Sequence, residues 1–289
     1  MRNQIMCAAA LLVAVLSVPV MAADWTTPVQ VQSGINTQYS ERTPYLSYDG
    51  LSLYFQRYYS SGVNGCIFEA KRSQSTGPFT SVSQVLSGSN TVNCPWVSPD
   101  NLRMYYYEES NTWRIKVSQR ASVNDPWSQG SIVQGLPSSS ICSPSLSADE
   151  LTIVFNNPNV GGWDMYMATR SSKDLAFDNV RSLSELNTAG SEIRPFLSPD
   201  ALSIYYGGGL GQIFEATRQS LNDPFGNVQH LSAFDMPGGE AHPSISSDGK
   251  TFYFVVGAPA DIYVSYLVPE PATLLLMSIG GVLLRKLKK

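Results

Sequence analysis

The chain has 289 residues, of which 43% are hydrophobic, 11% aromatic and only 15% charged. It carries 19 Lys and Arg against 23 Asp and Glu, and setting aside five basic residues and one acidic residue in its end segments leaves about −8 for the part between. That charge argues against nucleic acid and anionic membrane surfaces as partners. Neutral glycans, cations and other proteins remain compatible with it.

The first 22 residues have the pattern of a secretory signal peptide. Arg2 supplies the positive start, residues 7–20 are almost entirely apolar, and small residues precede a predicted cleavage site after Ala22. Cys7 lies at the start of the apolar run rather than at its end, which argues against a lipoprotein cysteine. An uncleaved anchor helix is the alternative.

A repeat of about 50 residues runs through the rest of the chain. The motif Pro-x-x-Ser-x-Asp occurs five times, with spacings of 51, 49, 51 and 48 residues, beginning at Pro44, Pro95, Pro144, Pro195 and Pro243. Apolar, strand-like runs follow each motif, and an aromatic residue introduces a further strand at Phe79, Trp127, Phe177 and Phe225. Apolar residues on both strand faces are expected for a blade packed between two neighbours. The strand content and the period favour a propeller over a solenoid.

The repeat predicts an all-β, five-bladed propeller over residues 23–267. The blades lie near 41–91, 92–139, 140–190, 191–238 and 239–266. The last blade lacks its aromatic-led strand, and residues 25–31, which begin with Trp25, have the required pattern. We therefore expect this N-terminal segment to complete the fifth blade as a hydrogen-bonded clasp that leaves no open sheet edge.

The motif resembles the TolB-type, WD-like propeller repeat, whose consensus ends Ser-Pro-Asp-Gly. Pro99-Asp100 and Pro199-Asp200 match it best, whereas blades one, three and five lack the second proline. The resemblance extends over essentially the whole region between the two ends, and it implies the propeller fold. TolB itself has six such blades and a further domain, so its role in the cell envelope is not carried over.

An aspartate ends the motif in every blade, which favours a structural role. We assign these residues to tight turns, where a carboxylate accepts backbone N–H groups: Asp49, Asp100, Asp149, Asp200 and Asp248. An arginine ends the third strand in four blades, at Arg72, Arg120, Arg170 and Arg218. Because the third strand runs parallel to the first, we predict Asp–Arg contacts on one face of the ring.

Three carboxylates stand three positions before the motif proline, namely Glu41, Glu192 and Glu240, where the other blades have Val92 and Ile141. On the face opposite the turns, they would surround the mouth of the central channel. Such a ring is typical of a cation site or of the acid pair of a glycosidase. Hydrogen bonding to the neighbouring blade is the structural alternative, and no cofactor other than such a cation is expected.

Aromatic residues in loops on the same face are candidate glycan contacts. They are Tyr58, Tyr59, Trp113 (near Glu108 and Glu109) and Trp163. Aromatic faces next to carboxylates and amides suit stacking on sugar rings, and ordinary blade packing is the alternative. The sequence contains no zinc-type spacing of Cys and His, no nucleophile elbow and no phosphate loop.

Three cysteines lie in the exported segment, an odd number that leaves one unpaired or free to pair between chains. Cys94 and Cys142 immediately precede the first strands of adjacent blades and form one candidate disulfide. They stand one and two residues before their prolines, an offset that would point them apart. Cys66 is expected to pack as a small buried residue.

Residues 268–289 have the order of a sorting signal. Pro269-Glu270-Pro271 is followed by 13 apolar residues and by a basic end that starts with Arg285 and Lys286. This arrangement resembles the PEP-CTERM signal of Gram-negative bacteria, which implies transient anchoring in the inner membrane and processing by an exosortase. The apolar stretch is shorter than the about 20 residues of a comfortable span. A plain C-terminal anchor is the alternative.

These features predict an exported, non-enzymatic propeller that signal peptidase and exosortase process for delivery to the cell surface or extracellular matrix. It would bind a glycan, an exopolysaccharide or a protein partner. The alternative is a glycoside hydrolase that uses Glu41, Glu192 and Glu240.

Overall fold

The computed structural model describes residues 25–59, 64–159 and 161–268, and within these ranges the side chains of Asn159 and Glu240 are not described. The predicted signal peptide and the sorting motif at Pro269, Glu270, Pro271, Arg285 and Lys286 therefore lie outside the described residues. In the described part of the chain, no helix has the length and hydrophobicity of a membrane span.

Short β-strands make up almost all of the regular structure of the described residues. One 3₁₀ turn, Ser232–Phe234, interrupts them. In chain order the strands are β1 (Val29–Gln30), β2 (Ser40–Leu46), β3 (Ser52–Tyr58), β4 (Cys66–Lys71), β5 (Ser81–Leu86), β6 (Thr91–Val97), β7 (Arg103–Glu109), β8 (Arg114–Gln119), β9 (Ser131–Ile132), β10 (Cys142–Leu146), β11 (Thr152–Asn159), β12 (Gly162–Thr169), β13 (Asp178–Ser182), β14 (Ile193–Leu197), β15 (Ser203–Gly207), β16 (Ile213–Thr217), β17 (Gly226–His230), β18 (Glu240–Ile245), β19 (Thr251–Val256) and β20 (Asp261–Tyr266).

The strands form five antiparallel sheets of four strands each. Four sheets follow chain order, namely β2–β5, β6–β9, β10–β13 and β14–β17, and the fifth has the order β18-β19-β20-β1. The first strands of successive sheets pack against one another around a common axis, and β18 packs on β2 to close the ring. The predicted all-β, five-bladed propeller is confirmed.

The segment that begins at Trp25 completes the fifth blade, as its pattern predicts. Val29 pairs with Val264 in β20, and Trp25 forms a bridge with Leu267. The Asn36 amide extends the clasp, because it donates to the carbonyl of Ile262 at 2.9 Å and accepts the N–H of the same residue at 2.8 Å. The first and last parts of the ring are thus joined by main-chain and side-chain hydrogen bonds.

Each first strand has a bulge at the residue before the motif proline. The pairing register shifts there in all five blades. The bulged residues adopt the left-handed conformation, with φ between 51° and 58°: Thr43, Cys94, Ser143, Arg194 and His242. A bulge re-aims the side chain that it carries, and here it determines which residues face the axis.

The motif aspartates close the turns between the first and second strands. In the fourth blade, Asp200 Oδ1 accepts the Ser198 hydroxyl at 2.6 Å and the N–H of Leu202 at 3.0 Å. The same two bonds recur in the other four blades, with distances of 2.5–2.6 Å and 2.9–3.1 Å. Each turn is therefore locked by its own serine and aspartate.

The predicted contacts between these aspartates and the repeated arginines are wrong. Arg218 Nε donates instead to the carbonyl of Ala201, the residue after the aspartate, at 2.8 Å. Its guanidinium lies 4.5 Å from the ring centre of Phe225. The equivalent carbonyl and aromatic contacts recur at Arg72, Arg120 and Arg170. The physical reason is that the Arg218 N–H bonds to the carbonyl of Leu202, which places the guanidinium beside the Ala201 carbonyl and the Phe225 ring.

Candidate functional site

The five bulged residues Thr43, Cys94, Ser143, Arg194 and His242 line a cavity on the propeller axis, which we call the axial cavity. Three aromatic rings form its floor. The Tyr45 ring centre lies 5.9 Å from that of Trp96 and 6.1 Å from that of Phe196. The same rings also line a cavity on the turn face, so they separate the two ends of the channel.

His242 is held in the wall of the axial cavity as a neutral side chain. Its Nδ1 accepts the N–H of Thr43 at 3.0 Å, which leaves the ring proton on Nε2. Burial, followed by the charges of Arg194 and Arg42, lowers the pKa of His242 well below its usual value. At neutral pH this residue is therefore a hydrogen-bond donor without charge.

The cysteines of the axial region are thiols. Cys94 Sγ and Cys142 Sγ each lie 3.6 Å from the Ser143 hydroxyl, and all three described cysteines are free and buried, Cys66 included. Burial raises the pKa of Cys94 to about 11 and that of Cys142 to about 12. The candidate disulfide is not formed, and neither sulfur has the thiolate character of a nucleophile.

A second cavity of about 240 Å³ opens beside the axial one and shares Ser143 and Arg194 with it. We call it the mouth pocket. Its wall consists of Arg42, Asn93, Tyr107, Glu109, Trp113, Cys142, Ser143, Asn156, Trp163, Ile193 and Arg194.

Three stacked aromatic rings form one wall of the mouth pocket. Trp113 lies between Tyr107, at 5.6 Å and 29°, and Trp163, at 5.4 Å and 14°. Both faces of Trp113 are therefore covered, whereas Trp163 ends the stack and has no second ring on it among the described residues. A further ring added to this stack would therefore contact Trp163 and not Trp113.

The two tryptophans occupy one repeat position that small residues fill in the other blades. The backbone carbonyl of the residue at this position accepts a hydrogen bond from the next blade. The donor is the backbone N–H three residues before that blade's motif proline. Ile141 donates to Trp113 at 3.1 Å and Glu192 donates to Trp163 at 2.9 Å. The equivalent acceptors are Gly65 and Ala260. The hydrogen bond between blades thus forms with Gly or Ala at this position as well, while both tryptophans pack in addition against the hydrophobic core.

Polar side chains hold the pocket wall in place. Asn93 donates to the Tyr107 hydroxyl at 2.9 Å, and Asn156 Oδ1 accepts the backbone N–H of Arg194 at 2.7 Å. The Tyr107 hydroxyl in turn donates to Glu109 Oε1 at 3.1 Å. The aromatic stack and the Arg194 backbone are thus fixed before any ligand arrives.

Glu41 and Glu192 do not line either cavity. Glu41 is fully buried and accepts Arg57 Nε at 2.8 Å and the Thr37 hydroxyl at 2.7 Å. Glu192 accepts the Thr188 hydroxyl at 2.5 Å and the Thr188 N–H at 3.0 Å. The bulge turns the residue before the proline toward the axis and leaves these carboxylates bonded to the preceding loop. The side chain of Glu240, at the start of β18, lies outside the described residues.

The remaining aromatic candidates lie apart from the mouth pocket. Tyr59 packs edge-on against Tyr39, with ring centres 4.8 Å apart. The guanidinium of Arg42 lies 5.3 Å from the ring centre of Tyr58, so one member of the pocket wall connects the two regions. Within the described ranges, no group of three His, Cys, Asp or Glu residues is arranged to hold a metal ion.

Sequence reasoning selected Trp113 and Trp163 but missed Arg42, Tyr107 and Arg194. A usable signal exists at the position before the motif proline, where the five blades carry Thr, Cys, Ser, Arg and His. Variation at one position of an otherwise regular repeat is typical of a scaffold that carries a site.

Solved structures resemble this chain in fold. The putative TolB from Agrobacterium tumefaciens is 19% identical, with 76% of this chain and 71% of that chain covered and a TM-score of 0.51. Zg3597, a family 117 glycoside hydrolase produced by the marine bacterium Zobellia galactanivorans, is 12% identical, with 86% and 93% covered and a TM-score of 0.60. The α-L-arabinofuranosidase PaAbf62A from Podospora anserina, solved with cellotriose, is 10% identical, with 86% and 97% covered and a TM-score of 0.55.

No family profile matches the sequence, and no curated protein matches it. At identities below 20%, the structural likeness concerns the fold and carries no activity with it. The chain is thus similar in fold to TolB and to propeller glycoside hydrolases.

Proposed function

We propose that this chain is an exported, non-enzymatic β-propeller that binds a glycan through its mouth pocket. The observation that carries the proposal is the Tyr107–Trp113–Trp163 stack beside a polar wall in a cavity of about 240 Å³. Pockets that combine aromatic surface with a few fixed polar groups are typical of small-molecule and saccharide sites. Trp and Tyr supply an apolar face and a polar edge at once.

The carboxylates favour binding over hydrolysis. Glycoside hydrolysis uses two carboxyl groups on opposite sides of the scissile bond, about 5–9.5 Å apart. Of the described carboxylates, Glu109 alone lines the mouth pocket, and none lines the axial cavity. Glu41 and Glu192 are occupied by Arg57 and by threonines of their own loops.

The two ends of the sequence support export. A signal peptide ending at Ala22 would be removed by signal peptidase, and the tail with Pro269-Glu270-Pro271 would hold the chain in the inner membrane until an exosortase acts. The propeller would then reach the cell surface or the extracellular matrix, where it would meet exopolysaccharide.

A glycan array followed by calorimetry on the purified chain tests this proposal. We expect saccharide binding without turnover, and Trp163→Ala should reduce the affinity by about 10–100-fold, because burying an apolar side chain contributes about 1.5–3 kcal/mol. Tyr48→Ala is the matched control, since Tyr48 is an exposed aromatic residue of the turn face. Polysaccharide hydrolysis that Glu192→Gln abolishes would favour the glycosidase instead.

A further inference from the structure

We propose that the mouth pocket selects an acidic saccharide, one whose sugar ring carries a carboxylate or a sulfate ester, and that Arg42 and Arg194 hold the anionic group. This inference rests on the proposed glycan-binding function and names the class of ligand. It is based on which of the described arginine side chains donate hydrogen bonds within the protein and which do not.

Arg42 and Arg194 are the two described arginines whose guanidinium groups donate no hydrogen bond within the protein. The others are bound to a carboxylate or a backbone carbonyl: Arg57, Arg72, Arg103, Arg114, Arg120, Arg170, Arg181 and Arg218. The two exceptions line the same pocket. The described arginines outside the mouth pocket therefore all donate hydrogen bonds within the protein, and the two inside it do not.

The unpaired state of Arg194 is costly. Its Nε is buried and has no hydrogen-bond partner, although a buried unsatisfied donor destabilises a fold and a charged one does so more strongly. Its backbone is fixed as well, in the left-handed conformation at φ 53° with the N–H bonded to Asn156 Oδ1. The Arg194 guanidinium therefore has an unused donor in a fixed position, which an anionic group of the ligand can accept.

Other members of the wall suit the rest of an acidic sugar. Trp163, which is half-buried and lines the pocket, provides a platform for the ring, and Glu109 provides an acceptor for a sugar hydroxyl. In the adjoining axial cavity, His242 adds a neutral donor. Two cations and one carboxylate leave the mouth pocket with a net positive charge, although the region between the two end segments has a net charge of about −8.

Recognition by this pair would be a local contact rather than long-range attraction. The overall field of the protein repels anions, so an acidic saccharide must gain its affinity from charge-assisted hydrogen bonds at short distance. Such bonds contribute about 1.5–3 kcal/mol each, which corresponds to a preference of about 10–100-fold for the charged ligand over a neutral analogue.

Calorimetry with matched saccharides tests the inference on the full chain. The carboxylate probes are the trimers of galacturonate, glucuronate and mannuronate with their methyl esters, and the sulfate probe is sulfated galactotriose with galactotriose. We expect the acid to bind about 10–100-fold more tightly than its neutral partner. Whichever probe binds with the higher affinity, carboxylate or sulfate, identifies the anionic group.

Arg42→Gln and Arg194→Gln should each lower the affinity for the acid far more than the affinity for its neutral partner, so that the preference is lost. Arg181→Gln is the charge-matched control, because Arg181 lies half-exposed on β13 and pairs with Glu185. Arg194→Gln should also raise the melting temperature by about 2–4 °C, since it removes a buried Nε donor that has no hydrogen-bond partner. Arg42→Gln keeps the test valid if the substitution at the bulge impairs folding.

The outcomes separate the two proposals. Equal binding of acid and neutral saccharide overturns the inference and leaves glycan binding intact. Absence of binding by every saccharide, acidic or neutral, overturns both. Binding of a hexaglutamate peptide that depends on Arg42 and Arg194, with no saccharide bound, also overturns both and identifies an acidic protein partner.

Discussion

His242 should make the stability of this propeller depend on pH in a range where its carboxylates contribute little. Burial, together with the charges of Arg194 and Arg42, lowers the pKa of His242 well below the usual 6.5 in the folded state. In the unfolded chain the imidazole regains its ordinary pKa of about 6.5. Below that pH the unfolded state binds a proton that the folded state does not.

The sign and size of the effect follow from this difference. Above pH 6.5 the imidazole is neutral in both states, so His242 adds no pH dependence. As the pH falls below 6.5, the free energy of unfolding decreases by about 1.4 kcal/mol per pH unit until the folded-state pKa is reached. Between pH 6.5 and pH 5 the loss should be on the order of 1–2 kcal/mol, which corresponds to a few degrees in melting temperature for a domain of this size.

Urea denaturation of the full chain at intervals between pH 5 and pH 8 measures this loss. His242→Asn is the informative variant, because the Asn amide oxygen replaces Nδ1 as acceptor for the Thr43 N–H and Asn tolerates a positive φ. It should flatten the profile. The control is His230→Gln, which removes the other histidine of the chain, a partly exposed residue bonded to Asp235. A decline that persists unchanged in His242→Asn would refute the reasoning.

Three further outcomes are expected. Ile35→Ala should lower the free energy of unfolding in urea by about 2–5 kcal/mol, because Ile35 is fully buried in the clasp. The backbone amides of the fifth blade should lose protection from hydrogen exchange first, and a uniform loss of protection in all blades would contradict this. Glu150→Gln should cost about 1–3 kcal/mol, since buried Glu150 binds Arg103 through both oxygens at 2.7 Å; unchanged stability would speak against it. Cys94 and Cys142 should resist iodoacetamide at pH 8 in the folded chain, as their raised pKa values require; rapid alkylation of either without unfolding would show the assignment to be wrong.

The fold was predictable because its determinants are local and repeated. Each Ser-x-Asp turn is closed by its own side chains, so the motif marks the first hairpin of every blade without knowledge of the rest. The closing strand was predictable because Trp25 supplies the aromatic lead that the fifth blade lacks. It packs on Phe234 and Phe252, with ring centres at 5.4 and 5.7 Å.

The direction of the channel side chains was not predictable from the same pattern. Successive side chains along a regular strand point to opposite faces of the sheet. A shift of one residue therefore moves every following side chain to the other face. The bulge before each proline introduces such a shift. Glu41 and Glu192 therefore turn away from the axis, while Arg194 and His242 turn toward it.

The arginine pair was beyond sequence reasoning for a different reason. Arg42 and Arg194 stand two and one residues before the motif prolines of different blades, so no repeat position unites them. Arg–Asp pairing was likewise expected from the shared face alone, whereas the arginine bonds to the carbonyl after the aspartate and lies over the aromatic ring. The arginine pair and the repeated arginines both depend on the hydrogen-bond partners that are available to each side chain. Those partners are determined by the folded ring.

A crystal structure of the chain with the galacturonate trimer bound would test the central claim most directly. We expect a sugar ring stacked on Trp163, with its carboxylate between the guanidinium groups of Arg42 and Arg194. A trimer bound on the turn face beside Tyr48, or a mouth pocket empty of sugar in a saturated crystal, would contradict it.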